Sequence, residues 1–312
     1  MSPLVSIVIP IFNRFEYAER AINSVLNQSY HNWELIIIDD CSDTMFTDYF
    51  ELPSISNRID ILRNNVNSGP GYSRQCGVNV SKGDFICFLD SDDYYHEQFL
   101  SRMTDVLLDN KIISGVYCTS FDIIENCVRK NSDVSYTGIL PALFDEQRPW
   151  ATCSWLWRRE RIVDWTIFRS NEDYLFEIGI AMKNNAIEHV SDVLCFIDKG
   201  TGVNTIDVLG VLKNERDRNK VIQYCFENLD NFYNISRVIT DSYVRRLFYV
   251  SARLLKLRDR GLVVANIKIL HRNKKLLKNN IPFVVLYFSY YFSFISSKPA
   301  FSLLEFFRNK YL

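Results

Sequence analysis

With 312 residues, 36 Lys and Arg against 37 Asp and Glu, 47% apolar and 14% aromatic side chains, the chain has the content of one large or two ordinary globular domains. That balance excludes intrinsic disorder, collagen and coiled coil. The net charge of −1 conceals a split, because residues 1–212 hold 17 basic and 30 acidic side chains and residues 213–312 hold 19 and 7, giving −13 and +12.

In chain order, Val5 to Ile9 is a short β-rich run closed by Pro10, and Phe15 to Leu26 follows with Ala18, Ala21, Ile22 and Val25 at helical spacing. The alternation recurs. Leu35 to Ile38 precedes Asp39-Asp40, Ile59 to Leu62 forms a further strand, Gly71 to Val80 a helix, and Phe85 to Leu89 runs into Asp90. Near-continuous apolar strands separated by helices predict a mostly parallel α/β sheet covered on both faces. Ligands in such sheets bind beyond the carboxyl ends of the strands. There the sequence places Asn13-Arg14, Asp39-Asp40 and Asp90-Ser91-Asp92-Asp93.

From about 111 to 212 the pattern is mixed, with a strand over Gly115 to Phe121, a Trp-rich segment from Trp150 to Trp157 and a helix from about Glu172 to Asn184. This stretch is expected to complete the same domain, 1–212. Residues 213–312 read as a helical, basic, aromatic-rich region. Val238 to Leu257 is amphipathic, and a basic cluster from His271 to Lys278 leads into Ile281 to Ile295. That last apolar stretch is about fifteen residues long, shorter than the ~18–20 needed to span a bilayer, but suited to lying on one. The eight cysteines include no CxxC pair and no signal peptide precedes them, so reduced, mostly buried thiols in a cytoplasmic protein are expected.

Asp90 and Asp92 are two apart in extended chain, so both carboxylates can face one cation; hard oxygen ligands suit Mn²⁺ or Mg²⁺ shared with substrate phosphates. The plain alternative is a solvated turn that caps the next helix. A carboxylate of Asp39 or Asp40 can accept from a base N–H or a ribose hydroxyl, or else cap the helix after Thr44. The turn Asn67 to Gly71 matches neither the phosphate loop nor GxGxxG, and Arg74, one turn into the following helix, can reach a nucleotide or stay a surface arginine. Glu172-Asp173 opens a helix. Acids there are ordinary, yet Asp173 kept ionised by the helix N-terminus can take the proton of an attacking hydroxyl. Trp150, Trp155 and Trp157 offer either an acceptor platform or core. The histidines 31, 96, 189 and 271 show neither zinc-ligand spacing nor a nucleophile partner and carry no role.

Five ordered motifs then make residues 1 to about 200 resemble glycosyltransferase family 2, the inverting nucleotide-sugar transferases of GT-A fold. They are Val5 to Arg14, Ser24 to Tyr30, Trp33 to Asp43, Asn67 to Gly71 with Arg74, and Phe88 to Asp93. The resemblance implies a nucleotide-sugar half at about 1–110 and an acceptor half at about 111–212; the C-terminal helical extension carries no motif of the family and is read from its composition alone. It places Pro10, Phe12 and Asp40 around a uracil, adds Asn13, Arg14, Asp39, Arg74, Asp90 and Ser91 to the donor site, and gives a diphosphate-bound Mn²⁺ or Mg²⁺ to Asp92 with Asp90. Asp173 is the implied base, and Glu172, Trp155 and Trp157 are the acceptor candidates. Where many relatives carry Arg-x-His, this chain has Phe196 to Gly202, with Lys199 as the candidate substitute.

The expected function is transfer of a sugar from a UDP-sugar to a hydroxyl of a glycan acceptor, lipid-linked and for a bacterial surface polysaccharide. The expected location is cytoplasmic, at the inner face of the cell membrane, through an anionic lipid surface and without nucleic acid. The same aromatic helices could instead pair two subunits. The rivals are a dTDP- or GDP-sugar donor on the same fold, a nucleotidyltransferase, which lacks its Gly- and Lys/Arg-rich loop here, and a membrane or nucleic-acid binding module built on the basic region.

Overall fold

The computed structural model describes residues 2–49, 56–124, 127–131, 134–143, 148–165 and 172–199, then 216, 219, 220, 223, 251, 254 and 259–272. The chain divides into two compact units, residues 1–203 and 204–312.

The first unit is one mixed sheet with helices on both faces. Its elements run β1 (Val5–Ile11), α1 (Phe15–Leu26), β2 (Trp33–Asp39), α2 (Phe46–Tyr49), β3 (Ile59–Arg63), α3 (Pro70–Val80), β4 (Phe85–Phe88), β5 (Tyr94–Tyr95), α4 (Phe99–Asp109), β6 (Gly115–Ile124), β7 (Cys127–Lys130), α5 (Ile139–Leu143), β8 (Trp155–Arg158), α6 (Glu172–Lys183) and β9 (Ile187–Asp198). The strand order is β3-β2-β1-β4-β8-β6-β9-β5, with β7 paired to β6.

Burial explains why these segments take these forms. Every residue of β1 is buried, as a strand covered on both faces requires. Val5, Ile7, Ile9 and Ile11 join one core with Ala18, Ala21, Ile22 and Val25 of α1 and with Phe99, Leu100, Met103 and Leu107 of α4. On the other face α3 and α6 pack: a Cβ at Gly77 would collide with Val8, so only glycine lets α3 come this close, and Phe88 meets Phe176 edge-on at 5.6 Å.

Strands β3, β2, β1 and β4 are parallel, as the sequence predicts. Beyond β4 the sheet departs from that prediction. β8 enters antiparallel between β4 and β6, with Ile86 opposite Trp157 on one side and Tyr117 opposite Trp155 on the other, while β9 returns parallel to β6. The Trp-rich segment is therefore a central strand. β9 was not expected from the sequence, since it mixes charged and apolar residues over twelve positions and only part of it is covered.

Of the cysteines, Cys87, Cys118, Cys153 and Cys195 are buried and unpaired, whereas Cys127 is exposed, against the expectation for a mostly apolar setting. In the second unit α7 (Arg260–Arg272) buries Asn266, whose amide donates to Asn219 Oδ1 at 2.6 Å and Ser251 Oγ at 2.8 Å. Among the described residues no helix is long and apolar enough to cross a membrane. The segment Ile281 to Ile295 and nearly all of Val238 to Leu257 lie outside the described residues.

Candidate active site

The chain leaves β1 for β2 and β3 on one side and returns to β4 on the other, so the strand order reverses between β1 and β4. A crevice opens at the carboxyl ends of strands that diverge in this way. Phe12, Asn13 and Arg14 stand on its β1 side and Asp90, Ser91 and Asp92 on its β4 side. Arg14 Nη1 lies 3.4 Å from Asp92 Oδ2 across it, with Arg14 47% and Asp92 28% exposed along the side chain.

The loop after β1 is held in an unusual shape. Asn13 and Arg14 have φ of 53° and 56°, the left-handed region that non-glycine residues seldom adopt. The backbone is kept there by Ser42 Oγ, which accepts from Asn13 N at 2.8 Å, and by Asp43, whose N–H donates to Asn13 Oδ1 at 3.0 Å. Asn13 thus serves the loop, while Phe12, 46% exposed, presents its ring at the strand end. Pro10 is buried within β1 opposite Ile38 and shows no edge to a ligand.

The aspartates after β2 also turn inward. Asp39 accepts from Ser42 N at 2.9 Å and from Arg63 Nη1 at 2.5 Å. Asp40, 3% exposed, accepts from Asn64 Nδ2 at 2.7 Å, from Ser68 N at 3.0 and 3.1 Å and from Gly69 N at 2.7 Å. It therefore caps the start of α3, not the helix after Thr44, and its oxygens are already taken by protein donors. Sequence alone cannot choose between these uses, since the partners lie 24 to 29 residues away.

Arg74 is corrected in the same way. It is neither a surface arginine nor poised over an open crevice, but buried, donating to Asp90 Oδ1 at 2.5 Å and Glu172 Oε1 at 2.9 Å and lying 4.7 Å over the Trp165 ring. Burial opposes its charge, but Asp90 and Glu172 outweigh that cost and hold the guanidinium above its ordinary value. Burial pushes Glu172 up against the pull of Arg74. The pair ties the end of β4 to the start of α6. Glu172, given to the acceptor from sequence, spends its carboxylate there.

Trp155 and Trp157 cannot form an acceptor platform. Both are 1% exposed in β8 and stack on each other at 4.1 Å, and Trp157 covers Gly115 so closely that a Cβ there would not fit. Neither ring has a face left for a sugar.

Asp173 sits at the first turn of α6, paired at 2.8 Å with Arg148 Nη1. Burial would raise its pKa, but Arg148, with Arg74 behind it, holds it below the ordinary carboxylate value, so it is ionised at neutral pH. Arg148 donates to the Trp150 carbonyl at 3.0 Å and lies 3.6 Å from Glu177, which accepts from Trp150 Nε1 at 3.0 Å. Sequence reasoning missed Arg148, which belongs to no motif, and Glu177, whose position one turn after Asp173 on the same helix face was the available signal. It also missed Arg20, which donates to the Asp92 carbonyl at 2.6 Å and to Asp198 at 2.7 Å; Asp93, the last residue of the acidic run read from the sequence, turns inward and receives Cys153 Sγ at 3.0 Å.

No three Asp, Glu, His or Cys side chains among the described residues form a closed metal site. An open site, with one or two carboxylates completed by water and phosphate oxygens, fits the residues present. Burial pushes Asp92 above its ordinary pKa, Asp90 and Asp198 add to this, and Arg14 offsets only part. A cation beside Asp92 would offset the repulsion that Asp90 and Asp198 exert on it. Asp90 keeps 35% exposure after binding Arg74.

The model for glycosyl transferase family 2 matches residues 6–160. Those residues belong to glycosyltransferase family 2. Within the family, the chain is 37% identical over 112 residues to an uncharacterized glycosyltransferase of Haemophilus influenzae and 34% identical over 108 residues to the putative teichuronic acid biosynthesis glycosyltransferase TuaG of Bacillus subtilis. It is also 37% identical over 123 residues to the UDP-Glc:alpha-D-GlcNAc-diphosphoundecaprenol beta-1,3-glucosyltransferase WfgD of Escherichia coli. These matches cover 36%, 34% and 39% of this chain and 45%, 43% and 47% of the relatives. The S. aureus TarS 1-349 structure aligns with TM-score 0.61 over 98% of this chain and 91% of its own, at 14% identity. The fold is GT-A.

Proposed function

We propose that the chain is a metal-dependent inverting glycosyltransferase that moves a sugar from a UDP-sugar to a hydroxyl of a lipid-linked glycan used for a bacterial surface polysaccharide. One observation carries this reading: the crevice of a family 2 domain pairs Arg14 with a half-buried Asp92 that is crowded by Asp90, while an ionised Asp173 stands beyond the Arg74 bridge. The names of TuaG and WfgD, and a TarS structure in complex with UDP-GlcNAc, support the polysaccharide and UDP-sugar parts.

Each part of the chemistry then falls to a named group. Phe12 packs on the base of the donor, and the loop fixed by Asp40 shapes the floor of that pocket. Asp92, with Asp90, would hold a Mn²⁺ or Mg²⁺ ion, which supplies neutralising charge to the departing diphosphate. Asp173 accepts the proton of the acceptor hydroxyl as its oxygen attacks the anomeric carbon. Attack comes from the face opposite the leaving nucleoside diphosphate, so a single displacement inverts the configuration.

Residues 213–312, with their +12 charge and the aromatic segment 281–295, bind the anionic inner face of the cell membrane and bring the crevice to a lipid-linked acceptor. The decisive experiment titrates UDP, GDP, dTDP and CDP calorimetrically into the full chain, with Mn²⁺ and with EDTA, beside Asp92→Ala. Metal-dependent preference for UDP that vanishes in the variant is the expected result. Preference for another nucleotide would replace the donor and keep the fold, and no binding by a folded sample would overturn the reading.

A further inference from the structure

Arg148 is shared. Its Nη1 is 2.8 Å from Asp173 and 3.6 Å from Glu177, two carboxylates one helical turn apart on the same face of α6. The guanidinium is further fixed by its Nε–H on the Trp150 carbonyl and by the Tyr174 ring 4.8 Å away. Glu177 is 2% exposed and has one neutral partner, the Trp150 indole. The charged groups acting on it are Arg148, from the segment before β8, and Asp173, from its own helix; on the far side of Trp150 stands Tyr117, whose hydroxyl accepts from Tyr136 N.

We propose that Arg148 is the positioning residue for Asp173, and that Glu177 sets how strongly Arg148 grips it. The inference rests on the assignment of Asp173 as base. With Glu177 neutral, Arg148 has one anionic partner and holds Asp173 in its weakest basic form. With Glu177 ionised, the guanidinium divides between two carboxylates that also repel each other, and Asp173 becomes a stronger base in an unchanged position. Burial pushes Glu177 up to about 7, so the change falls within the working range of a cytoplasmic enzyme. No covalent step is involved. One proton enters or leaves Glu177.

The test uses the full chain and two readouts. In the first, the ¹⁵N-indole resonance of Trp150 is followed over about pH 5.5 to 8.5, a range spanning the shifted carboxyl. A titration near neutrality that is lost in Glu177→Gln is expected, and since glutamine can still accept from Trp150, that variant keeps its packing. In the second, acceptor-independent hydrolysis of a UDP-sugar is measured against pH. Wild type should gain rate through neutrality, Glu177→Gln should stay on the acidic plateau, Arg148→Met should lose about 100-fold in kcat with little change in donor KM, and Arg148→Lys should recover part of that loss.

A flat Trp150 signal in wild type, superimposable pH profiles for wild type and Glu177→Gln, or full activity in Arg148→Met would each overturn the proposal. Asp173→Asn run alongside separates the two ideas. If it is inactive while Glu177→Gln behaves as wild type, only the inference on Glu177 fails. If it is fully active, the base assignment fails and takes the inference with it, whatever Trp150 reports.

Discussion

Asp92 and Asp173 lie on either side of the Arg74 bridge and answer to different measurements. Among the described residues the Asp92 carboxylate meets Arg14 at 3.4 Å and a backbone N–H, neither of which holds the strand behind it, so alanine there leaves that strand intact. Asp92→Ala should weaken Mn²⁺-dependent UDP binding by at least about tenfold and leave binding in EDTA unchanged, as read by calorimetry. Asp173→Asn should keep donor affinity and lower turnover by about 10²- to 10⁴-fold, as expected for the loss of a general base. Glu177 makes a stability prediction as well. Its folded pKa, about 7, lies above the 4.5 of the unfolded chain, so its contribution is complete below the unfolded value and is lost as pH rises through the folded one. Glu177→Gln should therefore melt progressively higher than wild type as pH is raised from about 5 to 8, by an amount worth a few kcal/mol at most, and a melting series at constant salt checks this.

Between elements, the Arg74 bridge adds two buried ion pairs among α3, the end of β4 and α6 to the apolar contact of Phe88 with Phe176. Removing one member of a buried charge pair strands the others, so Arg74→Met should cost about 3 kcal/mol, with Asp90, partly exposed, tempering the loss; urea unfolding measures it. The same bridge shows what was legible in the sequence. Strands β1, β2 and β4 and helix α1 follow from apolar spacing, because covered parallel strands and amphipathic helices carry their environment in their periodicity, whereas α3, whose buried face is Gly71, Ser73, Arg74 and Gly77, is legible only from its place between two strands. The Asp90 to Asp93 run and Glu172-Asp173 could be found because strand ends and helix starts mark where ligands gather. What those carboxylates bond to could not be found. Asp40 meets Ser68 and Gly69, and Glu172 meets Arg74 from 98 residues away, contacts that only the folded chain creates. Trp155 and Trp157 misled for a related reason: an aromatic i, i+2 pair reads the same whether its strand borders a cleft or runs through the middle of a sheet.

Across the whole molecule, the charge split sets residues 1–212, at −13, apart from residues 213–312, at +12. If residues 213–312 meet lipid as proposed, the full chain should sediment with anionic vesicles at low salt, release as salt rises, and lose that partition when residues 280–312 are deleted. Retention by the deleted chain would move the contact elsewhere. The antiparallel entry of β8 carries its own consequence for how domains of this fold can be recombined. Because Phe85 and Ile86 take their hydrogen-bond partners from Arg158 and Trp157, the segment before residue 110 lacks a finished sheet edge of its own. A chimaera that joins this segment to the later half of a different transferase must import a strand in the register of β8. Without one it would leave β4 as a bare template for aggregation, so this fold is more readily varied by changing loops than by exchanging halves.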